Sequence, residues 1–466
     1  MGKSSKVFGE GKVGKILIRY SISVIIALLV SELYNMVDTI FVGRVVGAKG
    51  IGALVVVFPI QRIVAALSFM ISTGAATALA RYNGEKNNIK AGKVIKNGYT
   101  LVYLIMIPMT FIVYIFRDQV LKILGTSNGI LPYAHEYLSI IIFGSIFFAL
   151  TVYISDIMLS LGNNKISIIS TSIGAIINIL LDYIFVVKMS MGVKGAAIAT
   201  TVSQIIGFIY AYYHYGKVKR GFRISRGFSL DKKIWLPIIL VGLSAFIVEA
   251  EDGILMAVLN NLLLGTVGEE GIIVLGVVSK IYMFLFIAMF GISGAMLPMA
   301  AYNIGAENYR RLRKIVEKTA IYALITSIVL WIGALIFAPQ LISFFVKERE
   351  IIYESVKAFR IMISVFPVIS IYYVSIYYFQ ALGKAKTSII VSVLRQLIIM
   401  LPVSLILVKG FNLGAMGVWL SYPISDILAS LASYMLIREE GYKLNIKVEK
   451  QIEKEKAMGV VPFASH

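Results

Sequence analysis

The sequence predicts an all-α membrane protein: twelve transmembrane helices in two six-helix lobes related by a parallel pseudo-twofold repeat. Three observations predict it. Of 466 residues, 58% are hydrophobic and only 15% charged, with a mean hydropathy of +0.84. A soluble globule cannot hide that much apolar surface without exposing large patches. The apolar residues gather in runs of about 20, the length that crosses about 30 Å of hydrocarbon at 1.5 Å per residue. Finally, one offset of 221 residues aligns the two halves, as in Gly47 with Gly268.

In chain order the spans are predicted near 16–41, 52–80, 97–116, 135–159, 166–187, 195–215, 234–264, 271–300, 319–338, 355–381, 387–408 and 414–437. The segments between them are too short for a soluble domain and read as turns and short surface helices. The basic stretch Met1–Gly14 precedes a run too long for a signal-peptide core, so the first helix is expected to be retained. Pro59, Pro108, Pro298, Pro367, Pro402 and Pro423 fall within spans, where each removes a backbone donor and can kink its helix. The expected division is a first lobe over 1–220, a basic linker over 221–233, a second lobe over 234–440 and a charged tail over 441–466.

Lys and Arg set the orientation. The net charge is +20. About 30 basic residues fall on the side of the even-numbered loops and both termini, and about 9 on the other. Lys217, Lys219, Arg220, Arg223, Arg226, Lys232 and Lys233 alone crowd the loop between the sixth and seventh spans. Both termini are therefore placed in the cytoplasm of a plasma-membrane protein, against anionic lipid. The basic excess reflects topology, and no nucleic-acid partner is expected. The absence of cysteine and the presence of only three histidines argue against thiolate or histidine metal sites.

The repeat extends through Gly50 and Gly271, Gly84 and Gly305, Asn87 and Asn308, Leu161–Gly162 and Leu382–Gly383, and Ser167–Ile169 and Ser388–Ile390. After a one-residue slip it continues through Gly192 and Gly414, and Gly195 and Gly417. Six spans per repeat is an even number, so both halves enter the bilayer with the same polarity.

The motifs LYNMVDTIFVGRVVG (Leu33–Gly47), ARYNGEKN (Ala80–Asn87), AAYNIGAENYRR (Ala300–Arg311), NILLDYIF (Asn178–Phe185), GVKGAAIAT (Gly192–Thr200) and LRQLIIMLP (Leu394–Pro402) occur in this order. Together they resemble the multidrug and toxic compound extrusion (MATE) family, over about residues 12–440. The resemblance implies a two-lobe antiporter that expels organic cations against a sodium or proton gradient. It implies no other cofactor and no enzymatic activity. A monomer is expected.

Ionised side chains inside a bilayer are costly, so embedded acids are functional candidates. Asp38 follows Tyr34 by one helical turn, and Asp182 follows Asn178 by one, so each pair shares a face. Thr200 opens the sixth span. If the three helices meet, Tyr34, Asp38, Asn178, Asp182 and Thr200 form a pocket rich in oxygen. Asp38, Asn178, Asp182 and Thr200 would hold sodium, a hard cation, or the carboxyls would share a proton. Residues at these positions resemble the cation-coupling set of one MATE branch.

Glu249 and Asp252 share a face of the seventh span beside Gly253, while Glu251 points elsewhere. This run fits either a broken helix lining a cavity or acids that reach water. Another MATE branch places its cation between acids of the seventh and tenth helices. Here the tenth has no carboxylate between Glu354 and Lys384, which favours the first lobe. Asp156 lines the cavity or lies at the cytoplasmic interface. Arg395 and Lys280 are candidates for internal ion pairs, with Asp426 a candidate partner for a residue of the eleventh helix. Arg62 is a further deep cation.

Two rivals are a flippase for a lipid-linked oligosaccharide and an intramembrane enzyme. The first would call for several cavity arginines, whereas the embedded charges lean acidic. The second lacks a nucleophile–base or metal-ligand set. The glycine-rich Gly9–Lys15 lacks a preceding strand and the terminal hydroxyl residue of a phosphate-binding loop. The tail after Arg438 is expected to be a solvated helix or disordered.

Overall fold

The computed structural model describes residues 5–126, 128–222, 224, 227–346 and 348–457. Among these, the long helices are α1 (Val13–Val45), α2 (Ala48–Gly84), α3 (Asn88–Ile115), α4 (Leu131–Ser160), α5 (Asn164–Lys188), α6 (Gly192–Gly221), α7 (Lys232–Leu264), α8 (Glu269–Gly305), α9 (Tyr309–Ile336), α10 (Arg349–Met362 and Phe366–Leu382), α11 (Ala385–Gly410) and α12 (Gly414–Ala457). Each predicted span falls on one of them, with an overrun of a residue or two at the ends of α3 and α9. Short helices at Arg117–Ile123 and Ala338–Ser343 occupy connections.

The broken span is α10, not α7. The two pieces of α10 meet at 42°. Pro367 has no N–H to give the helix and biases Phe366 away from helical geometry. By contrast α7 runs unbroken through Glu249–Gly253. A lone glycine costs a helix only about 1 kcal/mol relative to alanine, too little to interrupt 33 residues.

The chain divides into two compact units, one of Ser23–Ala250 and one of Lys6–Ile22 with Glu251 onward. The divisions fall inside α1 and α7 instead of at the 221–233 linker. That linker packs on the first unit: the Asp231 amide donates to Asn97 Oδ1 at 2.7 Å, and the Ser229 amide to Thr100 Oγ1 at 3.1 Å.

In the first unit, α4 lies against α2, α3 and α6, and α5 packs on α6. The start of α7 crosses α2 with backbone nearly touching backbone. A Cβ on Gly74 would lie 2.0 Å from the Ile238 carbonyl oxygen, and one on Gly242 1.8 Å from that of Met70.

In the second unit, α8 packs against α9 and α10, and α12 against α10 and α11. The glycine-rich N-terminal segment is a packing element. Phe8 is buried between Tyr20 and Tyr302. The Arg311 guanidinium binds the carbonyl of Phe8 at 2.6 Å and also that of Gly11.

The charged tail continues α12 as helix and is docked within the second unit. Gln451 Oε1 accepts from the amides of Tyr309 and Arg310 at 2.9 and 3.3 Å. These are orphan donors at the start of α9. Arg310 pairs with Glu455 at 3.2 Å, and Lys384 pairs with Glu440.

The internal repeat is written in the backbone. α2 and α8 have the same length at the 221 offset, as do α3 and α9. Gly47 and Gly268 precede α2 and α8 with φ of 80° and 77° and ψ of −159° and −154°, a region open essentially only to glycine. Asn87 and Asn308 cap α3 and α9 by accepting from Lys90 and Arg311 amides. Lys86 and Glu307 both take left-handed conformations. Later the offset becomes 222: Met189 donates to Ile184 in the first repeat, and Phe411 to Ile406 in the second. Between the two registers lies Leu394–Met400, a π-type stretch of α11 whose counterpart in α5 is regular α-helix. One inserted residue accommodated as a π-bulge accounts for the slip.

Candidate functional site

α1, α5 and α6 carry Asp38, Asn178, Asp182 and Thr200, all buried in the first unit. Asn178 Nδ2 donates to Thr200 Oγ1 at 3.2 Å, tying α5 to α6. Asp182 lies one turn after Asn178, and its carboxyl is within electrostatic reach of Asp38. The hydroxyl of Tyr137 on α4 donates to Asp38 Oδ2 at 3.4 Å. Among the described residues, Asp38 Oδ1, Asn178 Oδ1 and both Asp182 carboxyl oxygens have no hydrogen-bond partner. The side chain of Tyr34 lies outside the described residues.

Such atoms are costly to leave in apolar surroundings. An all-oxygen set with two carboxyls has the donor chemistry for a hard cation, or for protons taken up by the acids. Among the described residues, no group of three or more His, Cys, Asp or Glu is arranged to hold a metal ion.

The acids of α7 separate. Glu249 is half-buried and faces Arg62 of α2 at 3.4 Å, while Arg62 also lies 3.7 Å from Glu32 of α1. Asp252 accepts from Gln396 Nε2 at 2.7 Å in the second unit. Glu251, the member set aside on helical-face grounds, is the most deeply buried of the three, and its Oε2 has no partner among the described residues. Glu249 and Asp252 share a helical face yet serve different units, because the unit boundary passes between them.

Arg395 and Asp426 form a fully buried pair, Nε to Oδ1 at 2.7 Å. Tyr282 accepts from Arg395 Nη2 at 2.8 Å and reaches Asp426 Oδ2 at 3.5 Å. Lys280 does not belong to such a network. It is exposed, its ammonium sits 5.8 Å over the Phe345 ring, and it makes no ion pair among the described residues. Its long stem lets the charge leave the core. Asp156 is half-buried on α4 and meets the Ser72 hydroxyl of α2.

A cavity of about 140 Å³ opens in the first unit, lined by Glu32, Gln61, Arg62, Gln204 and Glu249 with Phe58, Phe69 and Phe148. Gln61 Nε2 donates to Tyr137 Oη at 3.5 Å, so one hydrogen-bonded chain joins the cavity wall to Asp38. Tyr137, Gln61 and Gln204 were not singled out from the sequence. The available signal was the adjacent polar pair Gln61–Arg62 inside an otherwise apolar run.

Among the described residues, eleven apolar helices and the bent pair of α10, built as two repeats, define a multi-pass membrane protein. The family model described as MatE matches residues 23–184 and 254–406. The chain belongs to the MATE family of membrane transporters, which are not enzymes.

Similar curated proteins include an FAD transporter of Shewanella oneidensis, 21% identical over 91% of this chain and 94% of its own length. The multidrug export protein MepA of Staphylococcus aureus is 23% identical over 96% and 98%. Among solved structures, a MATE in complex with MaL6 superposes with a TM-score of 0.89 at 23% identity, covering 95% of this chain and 99% of that one. A MOP superfamily transporter from Pyrococcus furiosus gives 0.88 at 23% identity with the same coverage.

Proposed function

We propose that this protein is a cation-coupled antiporter that exports lipophilic organic cations, driven by inward sodium or proton flux through alternating access. The observation that carries the reading is the buried pair Asp38 and Asp182, with unpartnered carboxyl oxygens beside the Asn178–Thr200 hydrogen bond. Sodium or a proton entering this pocket neutralises charge that the bilayer interior disfavours. Neutralisation removes the reason for the present placement of α1 and the Tyr137 hydrogen bond. The conformational balance then moves by the ion's differential affinity for the two states. Cargo bound in one state is released in the other, and the ion leaves on the far side.

The related proteins carry names for different cargo, multidrug export and FAD transport, so cargo is argued from the cavity. Aromatic walls at Phe58, Phe69 and Phe148 and the carboxylates of Glu32 and Glu249 suit organic cations. The protein is placed in the plasma membrane as a monomer with both termini cytoplasmic. The native chain has no cysteine, so single cysteines placed in loops report their side through an impermeant maleimide.

The deciding experiment reconstitutes the purified protein in liposomes and follows a fluorescent lipophilic cation. A sodium gradient alone and a pH gradient alone are imposed in turn. One of them drives efflux in the wild type, and Asp38→Asn and Asp182→Asn each abolish the driven component while the dye still binds. Driven efflux at the wild-type rate in both variants would overturn the assignment.

A further inference from the structure

The glycine-rich stretch 9–15, which does not make a phosphate loop, is a docking sequence. A Cβ on Gly9 would lie 3.6 Å from the Tyr302 ring of α8, and one on Gly14 would lie 2.6 Å from the Tyr322 hydroxyl of α9. Phe8 is buried beside them. Its carbonyl accepts from Arg311 Nε at 2.6 Å and from Asn303 Nδ2 at 3.2 Å. The Gly11 carbonyl accepts from Nη2 of the same guanidinium. A planar fork can serve two carbonyls at once, whereas an ammonium is a point charge.

α1 starts at Val13 and runs unbroken to Val45. It belongs to the second unit as far as Ile22 and to the first from Ser23. The clamp on Phe8 and Gly11 lies within the second unit, and it reaches the part of α1 that carries Asp38 through the helix itself.

The internal repeat shows that the Arg311 side chain is not needed to start α9. Lys90 stands at the same position of the first repeat, and its amide is capped in the same way by Asn87. The Lys90 side chain is exposed, with its ammonium 5.3 Å over the Tyr82 ring. The preceding residue, Arg310, pairs with Glu455 of the tail and has Ile89 as its counterpart. The second repeat therefore carries two arginines at this turn that the first does without, and each holds one end of the chain.

We propose that Arg311 is a positioning residue of transport: it fixes the entry end of α1, so that a change of charge at Asp38 moves the helix against a held point. With that end released, α1 answers the ion locally and the response is not passed along the helix. The role of the ion rests on the export reading, while the anchor itself does not.

The test uses the full-length protein in liposomes. Arg311→Met and Phe8→Ala release the segment by different routes. Each is expected to lower the ion-driven component of dye efflux about tenfold, within the range of coupling between linked sites. Dye affinity, set within the first unit, stays at the wild-type value and reports folding. The double variant loses no more than the worse single one, because both changes undo one attachment. Arg311→Lys, which keeps the charge and can serve one carbonyl, falls between and keeps the test in force if Arg311→Met does not fold. Lys90→Met is the control and leaves efflux unchanged.

Wild-type driven efflux in folded Arg311→Met and Phe8→Ala, additive losses in the double variant, dye affinity falling in step with efflux, or an equal loss in Lys90→Met overturns the proposal. Should the wild type show no ion-driven efflux, the export reading fails and hydrogen exchange decides the anchor in its place. Faster amide exchange over residues 23–45 in Arg311→Met then supports it, and unchanged exchange overturns it.

Discussion

The Tyr137 hydroxyl donates to Asp38 Oδ2 across 3.4 Å and accepts from Gln61 Nε2 across 3.5 Å. One phenol therefore touches both an acid of the proposed ion pocket and a residue of the cavity wall. Tyr137→Phe removes that link while keeping the ring. A hydrogen bond to a charged group is worth about 1.5–3 kcal/mol. We expect the sodium or proton concentration for half-maximal efflux to move about tenfold or more, with dye affinity little changed. The measurement is efflux from liposomes across a titration of the driving ion.

Asn178 supplies an uncharged oxygen beside Asp182 and ties α5 to α6 through Thr200. Asn178→Ala removes a neutral ligand and is expected to weaken use of the driving ion several-fold, on the order of 1 kcal/mol. Asn178→Asp adds a third carboxyl to the pocket and is expected to make sodium-driven efflux depend on pH. Sodium titrations of dye efflux at two pH values check both.

The Arg395–Asp426 pair tests structure without touching the first unit. Removing one partner strands a buried charge, at about 3–5 kcal/mol. Arg395→Met is therefore expected to lower the melting temperature steeply. The double variant Arg395→Met with Asp426→Leu is expected to recover most of the loss, since an apolar pair carries no desolvation cost. Thermal unfolding in detergent, followed by tryptophan fluorescence, distinguishes them. A double variant no more stable than the single one would mean that the pair is needed as charges.

Gly74 and Gly242 face opposing backbone carbonyls with no room for a methyl group. Gly74→Ala or Gly242→Ala must push α2 and the start of α7 apart. Overpacking of this kind costs about 1–3 kcal/mol, so reduced melting temperature and reduced yield are expected. Gly216→Ala, where a Cβ meets nothing within 4 Å, serves as the control.

Beyond the span of α12, Glu440 meets Lys384 and Lys443. Burial raises its carboxyl, but the hydrogen bonds and charges of the two lysines outweigh burial and hold it below its ordinary value. A depressed carboxyl contributes stability above the unfolded pKa, about 4.3. That contribution is lost as pH falls through the lower folded value. Amide exchange in Tyr442–Ala457 is expected to accelerate relative to the core of α12 on acidification below about pH 4. Glu440→Gln is expected to show the faster exchange at neutral pH.

Much of the fold was legible in the sequence because its signals are local. Apolar runs mark the spans, and Gly47, Gly268, Asn87 and Asn308 mark repeated turns whose conformations depend on those residue types. Pro367 outweighed the acid–glycine run of α7 as a breaker, since a missing donor disrupts a helix more than a polar side chain does. Helical-face reasoning placed Asn178 with Asp182 but could not say which of Glu249, Glu251 and Asp252 is buried. That depends on neighbours such as Arg62 and Gln396, which lie far away in sequence. Tyr137 was illegible for the same reason, as one tyrosine among 26. Lys280 read as embedded by position, whereas it is exposed and its ammonium lies over the Phe345 ring.

The π-bulge at Leu394–Met400 has an evolutionary consequence. At the offsets of the repeat, Asp38 corresponds to Leu259, Asp182 to Ser404 and Thr200 to Tyr422, so the second repeat does not carry the oxygen set proposed for the first. The segment that absorbed the extra residue carries Arg395 and Gln396, whose partners are Asp426 and Asp252. A single codon gained after duplication would have re-aimed one face of α11 and let that copy diverge without disturbing its sibling.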